Sequence, residues 1–148
     1  MPKKKASKSR RARSAARPQT ARRTTGKATE ILNTSGLRKG EILGGISTDG
    51  KVPYRLAVME IDGIAQADQA AALAHASKLG GDLPSRIDSL VLRMTLKEKF
   101  KTDRFYWTNE DYAGDSDRAW YQWFGDGDQG DWRKSGTGRV CVVRRVPL

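Results

Sequence analysis

Alternation of apolar and polar side chains predicts the first clear strand of the chain. Within residues 51–62, Tyr54, Leu56 and Val58 share one face at a period of two, while Ala57 and Met59 lie on the other. Residues 28–50 carry apolar pairs that are repeatedly interrupted by glycine, a pattern that favours short strands or a connector over a helix.

Helical spacing replaces this alternation after residue 64. Residues 65–79, AQADQAAALAHASKL, are rich in Ala and Leu and predict a helix, and Gly80 and Gly81 stand where a left-handed C-terminal cap is favoured. The single histidine of the chain, His75, falls in this helix. We expect it to be partly exposed, without the partners of a His-based catalytic triad.

A second helix is predicted almost at once. Ser85 is the expected N-cap, with Asp88 three residues later as its capping partner. The helix is predicted to end near Phe100, after a run of lysines that suits its dipole. Its apolar side chains recur at the spacing of one helix face: Ile87, Leu90, Val91 and Met94.

The pattern changes again from residue 104 onward. Nine of the 11 aromatic residues lie between Phe105 and Trp132, and three runs are strand-like, at 105–108, 119–124 and 139–146, separated by Gly- and Asp-rich loops. The order of strand, two helices and a meander of strands predicts an α+β fold.

Charge divides the chain more sharply than hydrophobicity does. Residues 1–27 hold 11 Lys and Arg and no acidic residue, whereas residues 28–148 hold 17 basic and 17 acidic residues. Such a segment cannot bury enough apolar area to fold alone, so we expect a disordered basic arm. The arm lacks the apolar stretch of a secretory signal. The chain contains no run of about 18 apolar residues, so we expect no membrane span.

The arm is suited to a polyanion. Its binding to a nucleic acid would be independent of sequence and strongly dependent on salt, since phosphate contacts release counterions. The alternatives are a solvated tail and an arm that docks on an acidic protein surface such as a capsid lattice. The predicted contact residues are Lys3, Lys4, Lys5, Lys8, Arg10, Arg11, Arg13, Arg17, Arg22, Arg23 and Lys27.

The remaining composition limits the chemistry. The one cysteine, Cys141, excludes intramolecular disulfides and Cys-rich zinc sites, and we expect it to be buried on a strand. Three aspartates in DGDQGD, Asp126, Asp128 and Asp131, suggest a calcium loop, but an EF-hand would need Glu where Thr137 stands. Asp and Gly are also the residues that a hairpin turn requires. We therefore predict no cofactor and no metal, with calcium as the alternative.

Five short motifs occur in an order that resembles a known family. They are GGDLPSR (80–86), YWTNE (106–110), AWYQWFGDGDQ (119–129), RKS (133–135) and VCVVRR (140–145). Over roughly residues 52–146 the chain resembles the Lcl C-terminal-like family, uncharacterised domains of tailed bacteriophages, prophages and bacterial surface proteins. The resemblance implies a C-type-lectin-like fold, with two helices and a curled antiparallel sheet, similar to the phage major tropism determinant and the formylglycine-generating enzymes.

The resemblance also bears on activity and on which residues could contact a ligand. It implies no reaction, because the formylglycine enzymes act through cysteines and this chain has one. The Glu-Pro-Asn or Gln-Pro-Asp loop of calcium-dependent sugar binding is absent. Trp120 and Phe124 match core positions of the family, whereas Trp123 replaces a polar position and is a candidate for exposed contact. Alternatively, Tyr121 and Trp123 are buried beneath the long loops or beneath the segment of residues 28–50.

The resulting organisation is an arm (1–27), a connector with short strands (28–51) and a lectin-like domain (52–148). The predicted ligand-binding residues are Asn109, Asp111, Tyr112, Tyr121, Trp123, Asp126, Asp128, Gln129, Asp131 and Trp132.

The function expected from these features is that of a non-enzymatic phage or prophage module, structural or ligand-binding, anchored by its arm. Its partner would be a protein or glycan on a cell or virion surface, without a membrane, and the chain would be an oligomer or lattice component. It would reside in the virion, or in the bacterial cytoplasm before assembly. A narrower version makes it a target of a diversity-generating retroelement, and the alternative is a nucleic-acid-associated protein acting through residues 1–27.

Overall fold

A computed structural model describes residues 36–148, which fold as a mixed α+β unit. Residues 1–35, and with them the predicted arm, lie outside the described residues. The elements in chain order are β1 (Ile42–Thr48), β2 (Pro53–Ile61), α1 (Gln69–Lys78), α2 (Arg86–Leu96), β3 (Tyr106–Tyr112), β4 (Asp115–Gln122), β5 (Gln129–Arg133) and β6 (Cys141–Pro147), with a short 3-10 turn, Lys97–Lys99, after α2.

The strands form two antiparallel sheets of three strands, where the sequence predicts one curled sheet. Their orders are β1-β2-β6 and β3-β4-β5. The segment entering β6 joins them, because the backbone of Arg139 bonds to Phe105 and Trp107 at 2.8 and 3.1 Å. Within β6, Val143 exchanges two backbone hydrogen bonds with Asp82, at 2.8 and 2.9 Å. The first sheet is thereby linked to β3 and to the turn before α2.

Helix α1 begins later than predicted, at Gln69. The Asp68 side chain caps it by accepting from the Ala71 N–H at 2.8 Å. Its predicted C-terminal cap is confirmed, because Gly80 has a φ of 81° and the Gly81 N–H donates to the Ala76 carbonyl at 2.9 Å. Only Gly and a few polar residues adopt this left-handed backbone without strain.

The N-terminus of α2 follows the prediction, but its buried face does not. Ser85 and Asp88 form the expected capping box, each side chain accepting from the other's backbone N–H at 3.0 Å. The buried side chains are those of Asp88, Ser89 and Leu92. Of the four residues predicted as an apolar face, Val91 packs against the core, whereas Ile87, Leu90 and Met94 are exposed, so the prediction is wrong for those three.

Two glycines of β1 explain how the helix packs. A Cβ at Gly44 would lie 2.6 Å from Leu92, and one at Gly45 would lie 2.8 Å from Val91. The absence of both side chains lets α2 pack closely on β1, and the Thr95 hydroxyl donates to the Gly44 carbonyl at 2.5 Å. This approach fixes the rotation of α2, which brings Asp88 to the inside.

Strand β6 lies between two apolar clusters. Cys141 and Val143 face the cluster formed with β2, α2 and Phe124, whereas Val140 and Val142 face the cluster formed with α1 and β3. Phe124 is buried as predicted. The two faces of β6 therefore support both halves of the core.

Cys141 is buried and unpaired, as the sequence predicts, and burial in this apolar surrounding raises the pKa of its thiol. Between residues 36 and 148, neither helix has the length and apolar character needed to cross a bilayer.

Candidate functional site

The organising group of the site is Arg145 on β6, between two carboxylates. Its Nη1 lies 2.8 Å from an Asp82 oxygen and its Nη2 lies 2.7 Å from an Asp88 oxygen. Nη2 also donates to the Leu83 carbonyl at 3.1 Å. Burial alone would lower the pKa of Arg145, but the two carboxylates outweigh it and raise the pKa, so the guanidinium stays charged. The result is a cation held rigidly by β6 and the turn before α2.

Asp88 is the buried counterpart of this arginine. One carboxylate oxygen accepts from the Ser47 hydroxyl at 2.6 Å and the Tyr54 hydroxyl at 2.7 Å. The other accepts from the Ser85 N–H and from Arg145. Burial raises the pKa of Asp88, but the bonds from Ser47, Ser85 and Tyr54, with the charge of Arg145, lower it below the ordinary range. Asp88 therefore remains ionised, and four separate segments converge on its carboxylate.

A cleft of about 450 Å³ opens beside this centre, a size within the range of small-ligand sites. The end of β1 and the following turn form one wall, the start of α2 a second and the middle of β3 a third. Its lining residues are Thr48, Asp49, Tyr54, Ser85, Ile87, Asn109, Glu110 and Arg145. Burial, followed by the hydrogen bond to Asp88, raises the pKa of Tyr54, whose hydroxyl stays protonated as a donor.

The α2 N-terminus in this cleft is already occupied by acceptors. Ser85 and Asp88 satisfy each other, and the Glu110 carboxylate accepts from the Arg86 N–H at 2.7 Å. A helix N-terminus ordinarily attracts anions, and here the protein's own carboxylates take that place.

Trp120 lies on the surface that adjoins the cleft, not in the core. The Arg86 guanidinium carbon sits 3.5 Å from the centroid of its ring, and the Tyr112 ring is 5.4 Å away at 61°. Arg86 also donates to the Gln129 side chain at 3.1 Å. The prediction of a core Trp120 is therefore wrong, because the side chain that covers this face of β4 is a charged residue of α2.

Tyr121, Trp123 and Trp132 lie on the opposite side and are half-buried against the second apolar cluster. The Phe105 ring stacks on Tyr121 at 4.4 Å between centroids and meets Trp123 edge-on at 6.1 Å. Trp132 belongs to β5 and Tyr112 to the end of β3, where the sequence predicts loops for both. Tyr112 is thus on the Trp120 side, so the aromatic residues predicted to bind a ligand are divided between two faces.

The acidic loop has the geometry of a turn. The Asp126 carboxylate accepts from the Asp128 N–H at 2.9 Å, the Asp128 carbonyl accepts from the Trp123 N–H at 2.8 Å, and Gly127 has a φ of 85°. Asp131 lies apart on β5, paired with Arg118 at 2.5 Å. Within residues 36–148, no three His, Cys, Asp or Glu side chains are grouped so as to hold a metal ion.

Two further predicted residues have specific partners. Asn109 donates to the Asp82 carboxylate at 2.8 Å and lines the cleft, whereas Asp111, two residues later on the same strand, pairs with Lys134 at 3.0 Å and is not part of the lining. Of the ten predicted ligand-binding residues in the domain, only Asn109 lines the cleft, with Tyr112 and Gln129 on the adjoining Trp120 surface. The eleven predicted arm cations lie outside the described residues.

Sequence reasoning missed the residues that build the cleft itself. Arg145 follows an apolar run on β6, and Asp82 and Asp88 flank the LPSR turn, so the available signal was a set of charged residues bordering apolar segments. No protein-family model matches this chain, and no curated protein matches it either.

Proposed function

We propose that this chain is a non-enzymatic ligand-binding module with a C-type-lectin-like fold, carried on a phage or prophage particle. The two helices and two small antiparallel sheets of residues 36–148 are compatible with that fold, and the motif order from GGDLPSR to VCVVRR supports it. The ligand would be presented by a protein or a glycan of a cell or virion surface. The basic arm would attach the module to its particle.

The cleft beside Arg145 is the observation that carries this proposal. Its polar walls are preorganised, because Arg145, Asp88 and Tyr54 are fixed by bonds of 2.7 Å. A ligand entering it meets side chains that need little reordering, which lowers the entropic cost of binding.

The reactive side chains of the described residues suit binding better than catalysis. The Ser85 hydroxyl accepts a helix-capping bond from Asp88, and Cys141 is buried with a raised pKa. His75 is paired with Glu60 at 2.5 Å on the α1 side of the molecule. A nucleophile beside a base would favour an enzyme, whereas here the Ser85 and His75 side chains are held in structural bonds and the Cys141 thiol is buried.

The test is binding of the labelled full chain to phage particles, host cells and a glycan panel, with two matched variants. Ile87→Arg places a bulky cation in the cleft lining, whereas Met94→Arg makes the same change at an 82% exposed position of the same helix, outside the lining. We expect Ile87→Arg to weaken binding at least about tenfold and Met94→Arg to leave it unchanged. Absence of the chain from purified particles together with no binding to cells or glycans would refute the proposal.

A second function is favoured by the charge of residues 1–27, which hold 11 cations and no acid. This arm would bind a phosphate backbone, with log K falling by ~0.9 per unit of log salt for each phosphate neutralised. Filter binding of duplex DNA and of RNA at rising salt, with and without residues 1–27, measures this. If the deletion leaves the affinity unchanged, the arm does not bind nucleic acid.

The narrower version of the first proposal, in which the chain is a target of a diversity-generating retroelement, is tested on the gene. A near-copy of its 3′ end beside a reverse transcriptase would support it, and clones from one population that show no variation in the codons of β4 and β5 would contradict it.

A further inference from the structure

The charges around the cleft do not balance. Asp49 and Glu110 line it with carboxylates, and Arg145, the one cation among the lining residues of the range 36–148, is bonded to two further carboxylates, Asp82 and Asp88. Arg86 is not part of the lining and directs its guanidinium over Trp120. Among the described lining residues, carboxylates outnumber arginine two to one, and Arg145 is already paired with Asp82 and Asp88, so the potential inside the cleft favours a cation.

Both lining carboxylates keep an oxygen that bonds to no other residue within 36–148. Glu110 uses Oε2 for the Arg86 N–H, and Oε1 has no partner in the described residues. Asp49 uses Oδ1 for the N–H groups of Lys51 and Val52, at 2.8 and 3.1 Å, and its Oδ2 bonds to no other residue within the same range. These two oxygens are acceptors that a ligand donor can reach.

The wall that α2 contributes is apolar at Ile87. Ile87 is 43% exposed although it lines the cleft, and Leu90, one turn later on α2, is exposed to the same extent. The Tyr54 ring contributes a further apolar edge. An inorganic cation would gain nothing from these surfaces, whereas a cation on a hydrocarbon stem would bury its methylenes there.

Together these features define a complementary group. We infer that the cleft holds a lysine or arginine side chain of a partner polypeptide, with the cationic head at Asp49 and Glu110 and the stem against Ile87. The inference rests on the proposed function, because it names the ligand class of the same cleft. An anionic ligand is disfavoured, since the α2 N-terminus is already capped by Ser85, Asp88 and Glu110.

The experiment is an NMR titration of the ¹⁵N-labelled full chain with four small probes. Nα-acetyl-lysine N-methylamide supplies head and stem, the norleucine analogue supplies the stem alone, methylammonium the charge alone, and the glutamate analogue the opposite charge. We expect the lysine amide to shift the backbone amides of Asp49, Ile87 and Glu110 and to bind at least about fivefold more tightly than the other three. Its affinity should fall as salt screens the carboxylates.

Two isosteric variants separate charge from shape. Glu110→Gln and Asp49→Asn each keep the acceptor that holds the local backbone, and each should weaken lysine-amide binding about fivefold, the effect of losing one ion pair. Glu98→Gln is the control, because Glu98 is exposed in the 3-10 turn and does not line the cleft. Equal binding of the lysine and norleucine amides, or no shift of the cleft amides, would overturn the inference.

Failure of the inferred ligand class can be told apart from failure of the proposed function. If particles or glycans bind and Ile87→Arg abolishes that binding, but the lysine amide does not enter the cleft, only the ligand class is wrong. If the lysine amide fills the cleft but the chain is absent from particles and binds neither cells nor glycans, the proposed function is wrong and the inference remains.

Discussion

Replacing Asp88 by Asn tests whether the charged centre stabilises the fold. The wild-type carboxylate is fully buried and accepts from the hydroxyls of Ser47 and Tyr54 on one oxygen, and from Ser85 and Arg145 on the other. An amide of the same shape has one oxygen and one NH₂. In either orientation, its NH₂ group faces donors, and Arg145 loses the nearer of its two charged partners.

The loss of unfolding free energy depends on the bonds that Arg145 keeps in the variant. Breaking a buried ion pair by removing one partner costs about 3–5 kcal/mol. Arg145 keeps Asp82 at 2.8 Å and the Leu83 carbonyl at 3.1 Å, which reduces the penalty. We therefore expect Asp88→Asn to lower the free energy of unfolding by about 3 kcal/mol, a large part of the roughly 5–15 kcal/mol of an ordinary domain.

Urea unfolding followed by tryptophan fluorescence measures this value, with Asp117→Asn at an exposed position of β4 as the control. The control should change the free energy by less than about 0.5 kcal/mol. The pKa of Asp88 is lowered in the folded state, so its stabilisation is present above the unfolded pKa of about 3.9 and is lost as the pH falls through the folded pKa. The difference between wild type and variant should shrink below about pH 4. A loss below about 1 kcal/mol at pH 7, or a difference that stays constant into acid, would refute this account.

Three further predictions concern packing and capping. Gly44→Ala should lower the free energy of unfolding in urea by about 1–3 kcal/mol, because its Cβ would lie 2.6 Å from Leu92. The control Gly125→Ala, whose nearest contact would be at 3.4 Å, should lower it by well under half as much, and equal losses would refute the packing argument. Cys141 should react with a thiol reagent at under about 1% of its rate in urea, and fast native labelling would show that it is not buried. Ser85→Ala should cost about 1 kcal/mol in the same unfolding assay through loss of the cap, and an unchanged midpoint would contradict the capping box.

Local sequence was sufficient for the features that depend on neighbours in the chain. Ser85 and Asp88 form a cap within one turn, and Gly80 ends α1 by its own backbone freedom. The alternation in β2 places Tyr54, Leu56 and Val58 on one buried face, as predicted.

The errors arise where a distant residue decides which face is buried. Asp88 is inside because Tyr54 and Arg145, 34 and 57 residues away in sequence, bond to it. Trp120 is at the surface because Arg86, from a different element, stacks on it. The period of a pattern gives the two faces of an element, but only the tertiary partners determine which of them is covered.

The pairing of β2 with β6 sets an order of events during synthesis. Tyr54 pairs with Pro147 and Leu56 with Arg145, so the first sheet cannot close until the chain has been translated through β6. Until then, the apolar face of β2 and the carboxylate of Asp88 lack their partners on β6, so the nascent chain is exposed to proteases and to aggregation. This exposure lasts while roughly 85 further residues are translated, which takes several seconds at about 5–20 residues per second. Chains stalled before β6 should therefore be sensitive to protease, and chains whose elongation is resumed through β6 and that are then released should become resistant.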